Sequence, residues 1–201
     1  MTQTYEGGCH CGRVRFRVTA DLDGVTYCNC SVCSKKGFLH LIVPPAQFEL
    51  VNGKDDLTTY QFNTGTAKHT FCKVCGIHSF YVPRSDPDKI DVNVHCLDGV
   101  TICNCSICTK KGIWHLIVPP ERFELLQGAS DLATYQFNTR VAKHHFCKVC
   151  GVHPFYVPRS DPDKIDVNAR CLDGFDTLGI TPKRFDGRNW EAAMQQDVPW
   201  R

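Results

Sequence analysis

Cys28-Asn29-Cys30-Ser31-Val32-Cys33 is the stretch of this chain that says most about its fold. Three thiolates packed within six residues can surround one face of a zinc ion and leave its fourth position open. An external thiol bound there would have a lowered pKa and would be a nucleophile at neutral pH. A histidine could instead close the site, and His40, His69 and His78 are the candidates. The stretch therefore predicts a metal site, open or closed by histidine.

The same pattern occurs again 75 residues later, as Cys103, Cys105 and Cys108. Residues 24–98 align without gaps to residues 99–173, and roughly three quarters of the positions are identical. The chain thus consists of a head (1–23), copy A (24–98), copy B (99–173) and a tail (174–201). Two copies are too few for a solenoid, so we expect two fused domains. They are residues 1–98, head plus copy A, and an incomplete second domain, residues 99–201.

A second cysteine motif supplies half of a different site. Cys72-Lys73-Val74-Cys75-Gly76 is a knuckle in which two thiolates converge on one ion. The other half can come from Cys9-His10-Cys11-Gly12, which would give a closed four-thiolate site of the structural type. Copy B repeats the knuckle at Cys147 and Cys150, but the chain has only one head. Copy B is therefore expected to hold only half of a structural site.

Which copy uses Cys9 and Cys11 is a competition between two loop lengths. Closing the 17-residue gap from Cys11 to Cys28, rather than the 92-residue gap to Cys103, favours copy A by about 1.5 kcal/mol of loop entropy. Packing of copy B against the tail could reverse that preference. Cys96 lies only 7 residues before Cys103, too close to replace the missing pair. We predict that the head completes copy A.

Composition limits the class of protein. The chain has 201 residues, 42% of them apolar, 14 cysteines and a net charge of +2. The N-terminus lacks the apolar run of a secretory signal, so a cytoplasmic or nuclear protein is expected, in which clustered cysteines bind metal rather than form disulfides. The near-neutral charge argues against nucleic acid as a partner. The paired lysines at 35–36 and 110–111 are interpreted as solvated side chains.

The pattern of apolar residues indicates a mainly β protein with short strands. Period-two alternation or short apolar runs predict strands at residues 14–18, 40–43, 59–62, 77–82 and 134–137. A short helical turn is expected after Cys30. The one longer helix is predicted in the tail, at residues 190–194, with Asn189 as its cap.

These motifs together resemble one known family. Residues 9–12, the Cys-Asn-Cys-Ser-x-Cys stretch at 28–33 and Phe71-Cys72-x-x-Cys75-Gly76 are similar to the glutathione-dependent formaldehyde-activating enzyme family, also called the centromere protein V type domain. The segments at 60–64, 80–85 and 185–191 resemble its animal branch. The resemblance covers nearly the whole chain, twice in the middle.

The resemblance implies a β-rich, Mss4-like β-tent fold with two zinc ions per domain. By this analogy Cys9, Cys11, Cys72 and Cys75 form the structural site, and Cys28, Cys30 and Cys33 the catalytic site. In copy B, Cys103, Cys105 and Cys108 would form a second catalytic site, and Cys147 and Cys150 would bind metal as a half-site. The implied chemistry is carbon–sulfur bond formation or cleavage, in which glutathione adds to formaldehyde.

Two functions from different classes remain open at this stage. The first is a zinc-dependent carbon–sulfur lyase that acts on a small thiol such as glutathione. The second is a non-enzymatic, zinc-stapled interaction module like centromere protein V, working through a protein partner or a homo-oligomer. The chain has no long basic extension that would attach it to an acidic polymer, which argues against the second.

Overall fold

The computed structural model describes residues 2–98 and 105–173, together with Ala192 and Gln195. It confirms a mainly β protein with short helices. The strands are β1 (Gln3–Gly8), β2 (Arg15–Ala20), β3 (Thr26–Tyr27), β4 (Leu39–Val43), β5 (Phe48–Asn52), β6 (Leu57–Tyr60), β7 (His69–Cys72), β8 (Phe80–Tyr81), β9 (Ile90–Asn93), β10 (His115–Val118), β11 (Leu132–Tyr135), β12 (Lys143–Cys147), β13 (Phe155–Val157) and β14 (Ile165–Asn168). The α-helices are α1 (Ser31–Lys36) and α2 (Ser106–Lys111).

The head and copy A share one hydrophobic core. Strands β1, β2 and β5 form an antiparallel sheet in which Phe16 of the head lies opposite Leu50 of copy A. The order β3-β4-β9-β8 makes a second sheet, and β6 pairs with β7. Phe16 is 1% exposed and its ring packs on Phe48 and Phe80. The head is therefore an integral layer of copy A.

Copy B arranges its equivalent strands in a single sheet of order β10-β14-β13-β12-β11. Residues 123–127, which correspond to β5, are described but form no strand. Their partner in copy A is β2 of the head, and copy B has no second head. A strand at this position therefore depends on the pairing that the head provides.

The missing head also changes the burial of identical side chains. Leu41 is 4% exposed in copy A, whereas its counterpart Leu116 is 42% exposed in copy B. Leu97, which bridges to Gly7 of the head, is 2% exposed, and its counterpart Leu172 is 41% exposed. We use the term open face of copy B for its exposed large apolar side chains, which are Leu116, Leu125, Leu126, Val141, Val149 and Leu172.

The two copies pack against each other with reciprocal contacts. The Lys35 Nζ donates to the Cys171 carbonyl at 3.1 Å, and the equivalent Lys110 Nζ donates to the Cys96 carbonyl at 3.3 Å. Residue i of one copy thus meets residue j of the other, and the reverse contact also forms, as in a two-fold symmetric dimer. Gly37 and Gly112 meet between the copies so closely that a Cβ on Gly37 would lie 2.5 Å from the Gly112 carbonyl oxygen.

Most of the predicted elements agree with the structure. The strands predicted at 14–18 and 40–43 are confirmed as β2 and β4, and the turn after Cys30 is α1. The strand predicted at 77–82 is wrong over its first half, because residues 77–79 form no strand, whereas Phe80–Tyr81 pair with β9 and Val82 bridges to Lys68. Except for Ala192, the predicted tail helix lies outside the described residues. Within the described part of the chain, no helix has the length and apolar character needed to cross a bilayer.

The interpretation of both lysine pairs as solvated side chains is wrong for one lysine of each pair. Lys36 and Lys111 are not solvated, being 7% and 5% exposed. Each is the last residue of its helix and lies between its own copy's cysteine motif and the other copy, which the sequence of one copy alone does not indicate.

Replacing the same leucine in the two copies tests the role of the head in packing. Leu41→Ala should lower the free energy of unfolding by about 2–5 kcal/mol, because it opens a cavity beneath the head. Leu116→Ala, the matched control at an exposed position, should cost less than about 1 kcal/mol. Chemical denaturation followed by circular dichroism measures both. Equal losses would contradict this account of the head.

Candidate metal centres

The first candidate centre is a cluster of four cysteines shared by the head and copy A. The thiol sulfurs of Cys9, Cys11, Cys72 and Cys75 all lie within 4.8 Å of one another. The Cys9 and Cys11 sulfurs are 3.4 Å apart, and those of Cys11 and Cys72 are 3.6 Å apart. In a tetrahedral site with Zn–S bonds of about 2.3 Å, sulfurs are separated by about 3.8 Å. The donor set therefore fits a soft metal ion such as zinc.

Two tight turns place these thiols. Cys72 ends β7, and the Gly76 amide donates to the Cys72 carbonyl at 2.8 Å. Gly76 has a φ of +71°, a left-handed conformation that other residues adopt at a cost. In the head, the Val14 amide donates to the Cys9 sulfur at 3.3 Å. Each turn thus projects a pair of sulfurs to the same point, where the amides can stabilise their charge.

The crowding of four thiols also indicates that a cation belongs there. Hydrogen bonds from Cys11 and Cys72 lower the pKa of Cys9, while Cys11 and Cys72 raise the pKa of Cys75. Four neighbouring thiols cannot all ionise without a positive charge among them. A bound divalent cation would provide that charge.

The second candidate centre is the three-cysteine motif of copy A. The sulfurs of Cys28, Cys30 and Cys33 lie within 4.8 Å of one another, and no histidine among the described residues joins them. Cys30 is exposed whereas Cys33 is buried. Burial raises the pKa of Cys30, but the backbone amides of Cys33 and Val32 outweigh it and bring the pKa below its ordinary value. The cluster therefore offers three sulfurs with one side open to solvent.

The three histidines considered as a fourth ligand all have other contacts. His40 Nδ1 lies 2.7 Å from the Asp91 carboxylate, and His78 Nδ1 lies 3.0 Å from the Thr70 carbonyl. The ring of His69 stacks on Tyr81 with a centroid distance of 4.7 Å. His40 Nε2 has no hydrogen-bond partner, but no histidine nitrogen among the described residues joins the three sulfurs within 4.8 Å, and this geometry favours the open reading of the three-cysteine motif.

Sequence reasoning missed the walls of this centre. One wall is a succession of stacked rings, here called ring ladder A, formed by Tyr60, Phe62, His69 and Tyr81. Burial raises the pKa of Tyr81, and the charges of Cys33 and Cys30 raise it further, which places this ring beside the cluster. Period-two alternation in the sequence predicts individual strands. It does not predict which rings of different strands face one another.

Lys36 lies near the cluster and near ring ladder A, where burial and the charge of Lys36 lower the pKa of His69. Burial lowers the pKa of Lys36 to about 8, and the charges of Cys33, Cys150 and Cys30 oppose this effect. Its ammonium is thus a counter-charge for thiolates in a region that excludes water. Cys150 belongs to copy B, and its effect on Lys36 shows that the centre of copy A lies close to the interface between the copies.

Copy B repeats this arrangement in part. Cys105 precedes α2, and the Cys108 amide donates to the Cys105 sulfur at 3.2 Å. Lys111 is buried, and its Nζ lies 2.8 Å from His144 Nδ1. Ring ladder B consists of Tyr135, Phe137, His144 and Tyr156. Cys103 lies outside the described residues.

The knuckle of copy B is not part of a four-cysteine cluster among the described residues, because Cys9 and Cys11 of the head lie with the knuckle of copy A. Cys147 and Cys150 are half-buried, whereas their counterparts Cys72 and Cys75 are fully buried beneath the head. Burial raises the pKa of Cys150, and the neighbouring Cys147 adds to the effect. Cys96 is buried elsewhere, with its sulfur 3.7 Å from the His78 carbonyl.

Comparison with known proteins places these motifs in a family. The family model described as glutathione-dependent formaldehyde-activating enzyme matches residues 4–101 and, a second time, residues 99–186. Among solved structures, a crystal structure of a Rhodobacter sphaeroides protein is 38% identical over 48% of this chain and 91% of its own length, with a TM-score of 0.47.

Replacing one cysteine in each knuckle tests whether the two are unequal. Cys72→Ser should remove one metal ion per chain and destabilise copy A, because structural metal contributes directly to folding. Cys147→Ser, the matched control in the half-site, should leave the stability nearly unchanged. Native mass spectrometry counts the ions, and we expect three in the unaltered chain. Two or fewer, or equal destabilisation by both variants, would contradict this assignment.

Proposed function

Because this chain belongs to the glutathione-dependent formaldehyde-activating enzyme family, we propose that it is a zinc-dependent carbon–sulfur lyase of the type that forms and cleaves S-hydroxymethylglutathione. The observation that carries the proposal is the three-cysteine cluster of Cys28, Cys30 and Cys33, with its exposed side and its buried counter-charge. The four-cysteine cluster is assigned a structural role, since all of its ligands come from protein. The proposed catalytic residues of copy B are Cys103, Cys105 and Cys108.

The reaction adds a thiol to a carbonyl carbon. It is not a redox reaction, so it needs no oxidant or reductant. The thiolate sulfur bonds to the formaldehyde carbon, the π electrons of the C=O bond move to oxygen, and that oxygen takes up the proton that the thiol released. A zinc ion held by three thiolates would offer its fourth position to the substrate thiol and lower its pKa. The reverse sequence cleaves the carbon–sulfur bond.

The residues of the chain would supply the environment for this step. Lys36 would offset the negative charge of the three cysteine thiolates and the incoming one, which favours ionised sulfur. Ring ladder A would exclude water from one side of the cluster, which strengthens that electrostatic effect. The exposed side of Cys30 would admit a small thiol such as glutathione.

A second function is favoured by one specific observation, the open face of copy B. Leu126 is 84% exposed, and Val149 is 55% exposed on the same copy. Large apolar side chains left exposed can mark protein interaction sites. On this alternative the chain is a zinc-stapled interaction module of the centromere protein V type, in the cytoplasm or nucleus, and the open face contacts a protein partner or another copy of the chain.

Exchange spectroscopy separates the two functions. With the zinc-loaded protein, NMR exchange between glutathione and its formaldehyde adduct should be faster than the spontaneous rate. The double variant Cys30→Ser/Cys105→Ser should lose this acceleration and keep its fold, because the four-cysteine cluster is intact. No acceleration by the unaltered protein would overturn the enzymatic proposal, and full activity of the double variant would overturn the assignment of the site.

A further inference from the structure

His10 of the head is bound by two hydroxyl groups and an aromatic ring of copy B. Its Nε2 lies 3.1 Å from the Ser106 hydroxyl, and its Nδ1 lies 2.9 Å from the Tyr135 hydroxyl. The imidazole packs on Phe137, with a centroid distance of 4.4 Å. Both ring nitrogens are thus hydrogen-bonded by copy B. This contact shows that two hydroxyls beside an aromatic ring can bind a small, planar, polar group.

Copy A carries the same set of groups on equivalent elements. Ser31 is the first residue of α1, as Ser106 is of α2. The rings of Tyr60 and Phe62 stack with a centroid distance of 5.5 Å and an interplanar angle of 19°. The corresponding values for the ring pair of copy B are 5.7 Å and 20°. The aromatic pair that contacts His10 in copy B is therefore reproduced in copy A.

The chain has no second head that could cover these groups in copy A. The Cys-His-Cys-Gly motif occurs once in the sequence, and its histidine contacts copy B. Phe62 is 39% exposed, whereas Phe137, which packs on His10, is half-buried. Ser31 is exposed as well. In copy A a ligand can therefore reach the groups whose counterparts bind an imidazole in copy B.

These groups of copy A adjoin its three-cysteine centre, all of which the structure describes. Ser31 directly follows Cys30 in the chain. Phe62 stacks on His69, and His69 stacks on Tyr81, the ring that lies beside the cysteines. Ring ladder A thus leads from the exposed aromatic ring to the cluster. The part of a thiol ligand next to its sulfur would extend along this path.

The imidazole of His10 indicates which ligand groups fit. An imidazole carries two hydrogen-bonding nitrogens on one carbon, and an amide carries a nitrogen and an oxygen on one carbon in an equally planar group. A hydroxyl can donate or accept a hydrogen bond, so Ser31 and Tyr60 can bind either kind of group. Glutathione has a peptide amide on each side of its cysteine, a few bonds from the thiol.

We propose that Ser31, Tyr60 and Phe62 form an amide subsite, which binds a peptide amide of the thiol substrate beside the three-cysteine centre of copy A. The inference rests on the proposed function for the thiol that this centre binds. It adds the residues by which the site distinguishes glutathione from thiols without an amide. The two hydroxyls bind the amide nitrogen and oxygen, and the Phe62 ring packs on the amide as its counterpart in copy B packs on His10.

The test compares thiols with and without an amide. Cys105→Ser removes a proposed ligand of copy B, so that titration of this zinc-loaded protein reports on the centre of copy A. Isothermal titration calorimetry should give a lower Kd for glutathione than for 2-mercaptoethanol, which has no amide. Tyr60→Phe and Ser31→Ala, each added to this protein, should raise the Kd for glutathione about 5-fold, the effect of one lost hydrogen bond. Neither variant should change the Kd for 2-mercaptoethanol.

Matched variants of copy B serve as controls. Tyr135→Phe and Ser106→Ala remove the hydroxyls that His10 already occupies, and neither should change the Kd of either thiol. Phe62→Leu, which keeps an apolar side chain without the aromatic ring, should raise the Kd for glutathione about 3-fold. The zinc count from native mass spectrometry verifies that the metal centres of each variant are intact.

The outcomes separate this inference from the proposed reaction. Unchanged glutathione binding in Tyr60→Phe and Ser31→Ala, or an equal loss of 2-mercaptoethanol binding, would overturn the inference even if exchange with formaldehyde is accelerated. Equal affinities of the Cys105→Ser protein for the two thiols would overturn it as well. Absence of binding of either thiol would overturn both. Amide-dependent binding without any acceleration of exchange would support the inference and refute the reaction.

Discussion

The structure depends on one pairing, that of head strand β2 with β5 of copy A. This pairing buries Phe16 and brings Cys9 and Cys11 to the knuckle of copy A. A strand needs a neighbour for its backbone hydrogen bonds and a closed tetrahedral metal site needs four ligands, and one head can complete both for one copy only. Strand formation, core burial and the closure of the cluster are thus consequences of the same contact.

Residues 48–52 and 123–127 show how far context outweighs local sequence. The first reads Phe-Glu-Leu-Val-Asn and forms β5, while the second reads Phe-Glu-Leu-Leu-Gln and forms no strand. Both are compatible with a strand by propensity, and propensity for strands chiefly reflects packing against neighbours. The neighbour is present in one case and absent in the other.

The same reasoning explains what could be predicted from the sequence. Short spacings such as Cys28 to Cys33 predict the clustering of their sulfurs, because few bonds separate them, and period-two alternation locates β2. Burial of Lys36 and the contact of His10 with Tyr135 could not be predicted. They arise where one copy packs on the other, between residues more than 100 positions apart, and no pattern within a single copy encodes that packing.

The reciprocal contacts between the copies also bear on how the chain can evolve. In a true homodimer, one substitution changes both sides of the axis at once, so each change must be tolerated twice. Here the two halves are separate segments of one chain, so the sequence of each half can change independently of the other. Arg170 of copy B packs on the ring of Tyr27 of copy A, 5.5 Å from its centroid, whereas the equivalent positions of the reciprocal contact carry His95 and Ile102. Duplication has therefore freed one half of a symmetric interface to acquire a matched pair that the other half lacks.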